Sequence, residues 1–445
     1  MERKEPVRTG VEWYPTKEYS VLPGGSFQKD VLDPSFYAHS PKTGKLVAPL
    51  DPSKPFVVYH RDFLKIVGQN PSFEIIASNE VSEGGDGYPL FHEAGIWIEE
   101  TKEVVFTSNC NPQFHNHIGR IRLDALSSRP LNASWDLLPP VPLSGTSPSV
   151  TATNGGTLLR LDGTDKLLLC CQGTSDIPSN LSIMDPQSGE SYPLLNNFHG
   201  RPFNALNDVV VLPPPAKKGG EVNGTWRTDL HDDERTTIWF TDPTYASAQG
   251  YKGAPQLPNQ VYCFTPSTGD IRVVADGFVM PNGICFSPCG TLCYITDTGM
   301  ISGDGNIHPQ RPGTVYVYDV VRPEADNEDW TAAGPRLENR RVFAFVDAGI
   351  PDGIKTDREG NVYSGTGEGV TCWNRYGTLL GKIVLFPSSL PSSLLSTGLS
   401  TRSEEHKVRF CANFNFCPDG KMCILAEDRI YVAGLSKEVK GALLP

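Results

Sequence analysis

Glu93, Asn207, Asn282 and Asp352 stand at matching places in a phrase that recurs along the chain, and each carries an oxygen donor. Two carboxylates and two amides brought together would make a ring of hard oxygen ligands with two formal negative charges. Such a set suits Ca²⁺, Mg²⁺ or Mn²⁺ better than Zn²⁺, with Ca²⁺ the first expectation. One Asn-Gly or Asp-Gly taken singly is more often a turn than a ligand, because these dipeptides are favoured on backbone grounds alone. Coincidence of four at one register favours the ring.

The elements that must position these residues are read from the phrase itself. Its clearest copies are PNGICFSPCGTLCYITDT from Pro281 and PDGIKTDREGNVYSGTG from Pro351. Each reads as a turn, a strand of alternating apolar residues, a Gly-containing turn and a second strand, which is a β-hairpin. Further copies begin at Glu93 (EAGIWIEETKEVVFTSN), Gly155 (GGTLLRLDGTDKLLLCCQG), Asn207 (NDVVVLPP, then TTIWFTDP) and Asn413 (NFNFCPDGKMCILAED). Well-aligned copies are about 60 to 75 residues apart, longer than the ~40 to 50 of compact propeller repeats, so each unit has room for four strands and long loops. Six copies predict an all-β fold, a six-bladed β-propeller with four-stranded antiparallel blades, because radial repetition buries hairpin edges. The leading strand of each hairpin is then the innermost, and its start faces the central channel. Asn413 lies one place from the sixth register, set at Ala412, and is expected to be an ordinary turn residue.

The phrases around Glu93, Asn207-Asp208, Pro281-Asn282-Gly283 and Pro351-Asp352-Gly353 resemble those of the SMP-30/gluconolactonase family, six-bladed propellers that include metal-dependent lactone hydrolases. The stretches FNALNDVVV and IWFTDPTY are most similar to the fungal lactonohydrolase branch, and the resemblance covers about residues 70 to 435. It implies metal binding by Glu93, Asn282 and Asp352, with Asn207 touching the metal or the substrate. A bound cation would polarise a lactone carbonyl and stabilise the oxyanion that forms on it. A base must then activate water, and Asp352 is the first candidate, Asp208 the second. Asp208 has a competing structural role, capping the turn before Val209. Two departures stand out: the family commonly has Glu-Gly-Pro where this chain has Glu93-Ala94-Gly95, and an acidic residue where it has Cys289.

Several other residues are candidates for lining the pocket and hydrogen-bonding substrate: His92 beside Glu93, His115 after the first hairpin, His199 and Arg201 upstream of Asn207, Asn204 and Tyr245. A different metal site from His115, His117 and Glu93 is disfavoured, since blade-connecting loops often carry solvated histidines. Surface loop or interblade packing is the competing role for each of these residues.

A net charge of -12 argues against a nucleic-acid or anionic-membrane partner and accords with a site that attracts a cation. The expected partner is a small-molecule substrate; oligomeric state is not legible. Residues 1–70 read as an irregular, proline-rich N-terminal wrap and 71–445 as the propeller. FEIIASNE from Phe73 is expected to complete the last blade against IYVAGL. Eleven cysteines without a CxxC pair, no apolar leader and no spanning segment point to a cytoplasmic protein, or a secreted one if a signal was removed. Polar insertions after NDVVVLPP and ITDTG are placed to set substrate choice.

Two enzymatic readings and one non-catalytic reading follow. The first is a metal-dependent lactonase. The alternative is an enzyme of specialised metabolism that uses the same pocket for a cyclisation, cycloaddition or isomerisation. A purely binding propeller is disfavoured, having no need of acidic residues at its axis.

Overall fold

The computed structural model describes residues 19–21, 55–79, 87–110, 116–123, 134–146, 150–214, 230, 235–322, 334–385 and 410–442. Each of the six recurring phrases forms an innermost hairpin, and each hairpin heads a four-stranded antiparallel blade. Blade one runs Glu93–Ile98, Glu103–Thr107, Ile118–Arg122, Trp135–Leu137. Blade two runs Thr153–Leu161, Thr164–Cys171, Asn180–Met184, Glu190–Leu195, with Val141–Pro142 added in parallel at its edge. Blade three is Val209–Leu212, Thr237–Asp242, Gln260–Thr265, Asp270–Ala275, and blade four is Pro281–Phe286, Leu292–Asp297, Thr314–Val321, Arg336–Phe345. Blade five is Ile354–Thr356, Val362–Thr366, Gly369–Trp373, Leu379–Val384. Phe56–Val58 adds antiparallel to its outer strand, followed by Tyr19–Val21 in parallel.

Blade six closes the ring with chain from both ends. Asn413–Cys417, Lys421–Leu425 and Arg429–Gly434 are completed by Ser72–Ser78, paired antiparallel to Arg429–Gly434. This is the closure expected from FEIIASNE and IYVAGL, and it removes a free edge between the first and last blades. Most of the expected N-terminal wrap, residues 1–18 and 22–54, lies outside the described residues.

Packing follows from the hydrophobic pattern. Inner strands are covered on both faces, so Glu93–Ile98 and Pro281–Phe286 are buried along their whole length, whereas the outer strand Arg336–Phe345 is mostly exposed. Aromatic pairs join neighbouring blades: Trp239 meets Phe286 between blades three and four, and Tyr363 meets Phe416 between five and six, edge to face at 5.3 and 5.0 Å. Each such pair adds roughly 0.5–1.5 kcal/mol beyond the area it buries. The hairpin turns need the left-handed conformation that glycine provides, with Gly290 and Gly360 at φ 65° and 82°. All eleven cysteines are free thiols. Among the described residues, no helix is long and apolar enough to cross a membrane.

Candidate active site

The starts of the inner strands converge on one polar cavity of about 240 Å³, which Glu93, Asn207, Asn282 and Asp352 all line. His92 and Tyr245 line it too. Ile301, Ser302, Gly303 and Gly305 bring the insertion after ITDTG onto its wall. The insertion after NDVVVLPP lies almost wholly outside the described residues, and so does His115.

Hydrogen bonds between side chains and backbone, within and between blades, hold the ring residues in place. The Thr241 hydroxyl, on the second strand of blade three, donates to the Asn282 carbonyl at 2.7 Å. Thr296, at the same place in blade four, donates to the Asp352 carbonyl at 3.1 Å. Asp242 and Asp297 end these two strands and accept the amides that lead into the ring, Asn204 and Ala205 in one case, Val279 and Met280 in the other. Asn207 and Asn282 are therefore set by rigid strands rather than by free loops, and their side chains carry the site's most telling feature. The Oδ1 atoms of both are buried without a hydrogen-bond partner. Buried carbonyl oxygens without a donor are rare and costly, and a cation between them would satisfy both. Asn282 also hydrogen-bonds the Tyr245 hydroxyl, which is shared with Thr298.

Glu93 is oriented from two sides. Its Oε2 accepts the Ala94 amide at 3.0 Å and the Asn413 side-chain amide at 2.7 Å, which leaves Oε1 for a ligand. Ala94 and Gly95 both have left-handed backbones, φ 69° and 65°, at a bulge in the first strand. The departure at Glu93-Ala94-Gly95 thus places alanine where a residue with a Cβ costs about 1–2 kcal/mol. Asn413, expected to be an ordinary turn residue, is instead fully buried and ties blade six to Glu93. Its Oδ1 also accepts the Phe414 amide at 2.8 Å. Asn413→Ala should cost about 1–3 kcal/mol from the Phe414 amide left unpaired and weaken cation binding by freeing Glu93, as thermal melts and calorimetric titration would show.

Asp208 occupies in blade three the place of Asn413 in blade six and makes the analogous link. Its two oxygens accept the amides of Val209 at 2.9 Å and Ile284 at 3.1 Å, and it does not line the cavity. Burial pushes its carboxyl up to about 7, Lys355 opposing and Glu93 adding to the rise. Burial likewise drives the Asp352 carboxyl well above the usual range, and the charge of Glu93 adds to this while His92 opposes it. The Glu93 charge thus disfavours ionisation of Asp352, and nearby positive charge favours it.

His92 forms an ion pair with Glu427, Nδ1 to Oε1 at 2.7 Å, across the junction of blades one and six. Burial works against the imidazolium, but Glu427, Glu93 and Asp352 outweigh it and raise its pKa to about 9. The remaining sequence candidates stand apart from the cavity. Asn204 is buried, its Nδ2 donating to the Leu257 carbonyl at 3.0 Å. His199 and Arg201 are exposed at a short hairpin, His199 against Phe198. His117 is exposed beside Tyr88. Among the described residues, no cluster of three or more His, Cys, Asp or Glu is arranged to hold a metal. The cavity also takes polar walls that sequence reasoning passed over, chiefly Asn154, Gln172, Ser108 and Asn109.

The profile of the SMP-30/Gluconolactonase/LRE-like region matches residues 93–301 and 309–403, from the ring carboxylate of blade one to the approach of blade six. The chain belongs to this family. Similar members include the lactonohydrolase oryL of Aspergillus oryzae, 28% identical over 74% of this chain and 67% of that one. A second A. oryzae lactonohydrolase, oryH, is 27% identical over 71% of each. The gluconolactonase of Zymomonas mobilis is 24% identical over 45% of this chain and 47% of that one. Among solved structures, the fold is shared with the gluconolactonase XC5397 of Xanthomonas campestris, with a TM-score of 0.57 at 19% identity over 86% of this chain and 95% of that one. Within this SMP-30/gluconolactonase member, the family match and the polar cavity coincide: all four ring residues fall inside the matched region.

Proposed function

We propose that this protein is a divalent-cation-dependent lactone hydrolase, a carboxylic ester hydrolase acting on a small-molecule lactone. One observation carries the reading: two carboxylates and two amides line a single cavity, and both amide oxygens are buried without a partner. Similarity to lactonohydrolases and to a gluconolactonase supports it.

Glu93, Asn207, Asn282 and Asp352 would hold the cation, with Ca²⁺ favoured and Mg²⁺ or Mn²⁺ compatible. When bound, it supplies Lewis-acid polarisation of the ester carbonyl. Asp352 acts as the base that takes a proton from the attacking water, its ionised form favoured once positive charge offsets Glu93. His92, with Nδ1 engaged by Glu427, offers Nε2 to a substrate oxygen. Tyr245 fixes the Asn282 amide and so orients the oxygen that faces the cavity. Asp208, the second candidate base, has both oxygens engaged by the Val209 and Ile284 amides and does not line the cavity, so its role here is to link blades three and four.

Metal analysis of the purified protein, paired with a lactone panel before and after chelation, tests the reading. The expected result is about one divalent ion per chain and ring opening that chelator abolishes and added Ca²⁺ restores. Turnover of a cyclic substrate without incorporation of labelled water would instead assign the cavity to non-hydrolytic chemistry.

A further inference from the structure

Asn154 sits at the start of the inner strand of blade two, outside the four residues that the repeated phrase brings into register. Three observations set it in the ring. Thr107, on the second strand of blade one, donates its hydroxyl to the Asn154 carbonyl at 2.9 Å, just as Thr241 and Thr296 do to Asn282 and Asp352. Glycine follows it, as glycine follows those two residues, and for the same reason. A Cβ on Gly155 would lie 2.5 Å from the Asn207 carbonyl oxygen, and one on Gly283 would lie 2.4 Å from that of Asp352. Lastly, Asn154 lines the cavity, and its Oδ1 is buried without a hydrogen-bond partner, like those of Asn207 and Asn282.

Its backbone is held before any ligand arrives. Asn116 accepts both the amide and the hydroxyl of the preceding Thr153, each at 3.1 Å. Three amide oxygens without donors, at one register and in one cavity, share a single need. A single cation can engage all three at once.

From this geometry we propose that Asn154 is a further oxygen donor to the cation, making a five-residue ring of Glu93, Asn154, Asn207, Asn282 and Asp352. The inference rests on the cation reading above and extends it to selectivity. Ca²⁺ takes six to eight oxygens in flexible geometry, while Mg²⁺ demands a tight octahedron and keeps several waters. A ring of five protein oxygens therefore favours Ca²⁺, and removing one of them costs Ca²⁺ more than Mg²⁺.

Calorimetric titration of the chelator-stripped full chain with Ca²⁺ and with Mg²⁺ tests this for the unmodified protein, Asn154→Ala and Asn154→Asp. Asn154→Ala should weaken Ca²⁺ binding by about tenfold or more and narrow the preference over Mg²⁺, the scale on which site-supporting groups act. Asn154→Asp, with an anionic oxygen at the same place, should tighten Ca²⁺ binding, and it provides the test if the alanine variant does not fold. Unchanged Ca²⁺ affinity in the folded variants, with the unmodified protein binding normally, overturns the role of Asn154 alone. No cation binding by the unmodified protein overturns the cation reading itself and this inference with it.

Discussion

Asp352→Asn and Glu93→Gln each yield a folded protein whose lactone turnover falls by about 10³-fold, the scale of losing a principal transition-state stabiliser, and whose cation affinity falls with it. Both substitutions keep the shape of the side chain and remove one negative charge from a cavity that holds two. Asp352 loses its basic oxygen as well, so its variant loses activity even where excess Ca²⁺ restores occupancy. Glu93→Gln is rescued poorly by Ca²⁺, because its one amide oxygen takes the place of Oε2, accepting from Ala94 and Asn413, and turns the NH₂ group toward the cavity.

The same variants should be more stable than the parent when cation is absent. Burial and mutual repulsion hold the Asp352 carboxyl well above its ordinary range, so ionising it in the empty cavity opposes folding. Neutral isosteres remove that opposition, and the melting temperature of chelated protein rises. Added Ca²⁺ should then shift the parent's melting temperature upward, and the variants' by less at the same concentration. A variant with parental cation content and turnover would show that the ring is not the site.

Gly283→Ala is expected to have the second-largest effect, through shape rather than charge. A Cβ there would lie 2.4 Å from the Asp352 carbonyl oxygen and 3.0 Å from the Ile354 amide nitrogen. Both are main-chain atoms of blade five, so no side chain can swing aside. The cost falls at the upper end of overpacking, about 3 kcal/mol, and what relief there is comes from pushing blades four and five apart. That movement breaks the bond from Thr296 to Asp352 and takes a ring residue with it. Activity should therefore fall along with the melting temperature. Gly253→Ala is the matched control, since nothing lies within 4 Å of a Cβ there. Equal behaviour of the two variants would mean that the blades can part without loss.

Much of this was legible in the chain itself. Alternating apolar runs mark the inner hairpins, four of the six around a glycine turn, because a strand's two-residue period and a turn's left-handed backbone leave local traces. Repetition then aligns residues that are far apart, and so Glu93, Asn207, Asn282 and Asp352 could be read as one set. Asn154 left a weaker trace: Asn154-Gly155 matches Asn282-Gly283 and Asp352-Gly353, but as a dipeptide it cannot be told from a common turn.

What the sequence determined by itself was the fold, the closure by Ser72–Ser78 and the register of the ring, all consequences of local pattern and of period. Tertiary structure alone decided which polar residues beside that register turn inward and which tie blades together. Asn413 reaches Glu93 across 320 positions of chain, and Asp208 reaches Ile284 in the next blade. No local pattern carries such partners, because a hydrogen bond between blades depends on where two distant strands are set by the packing of everything around them.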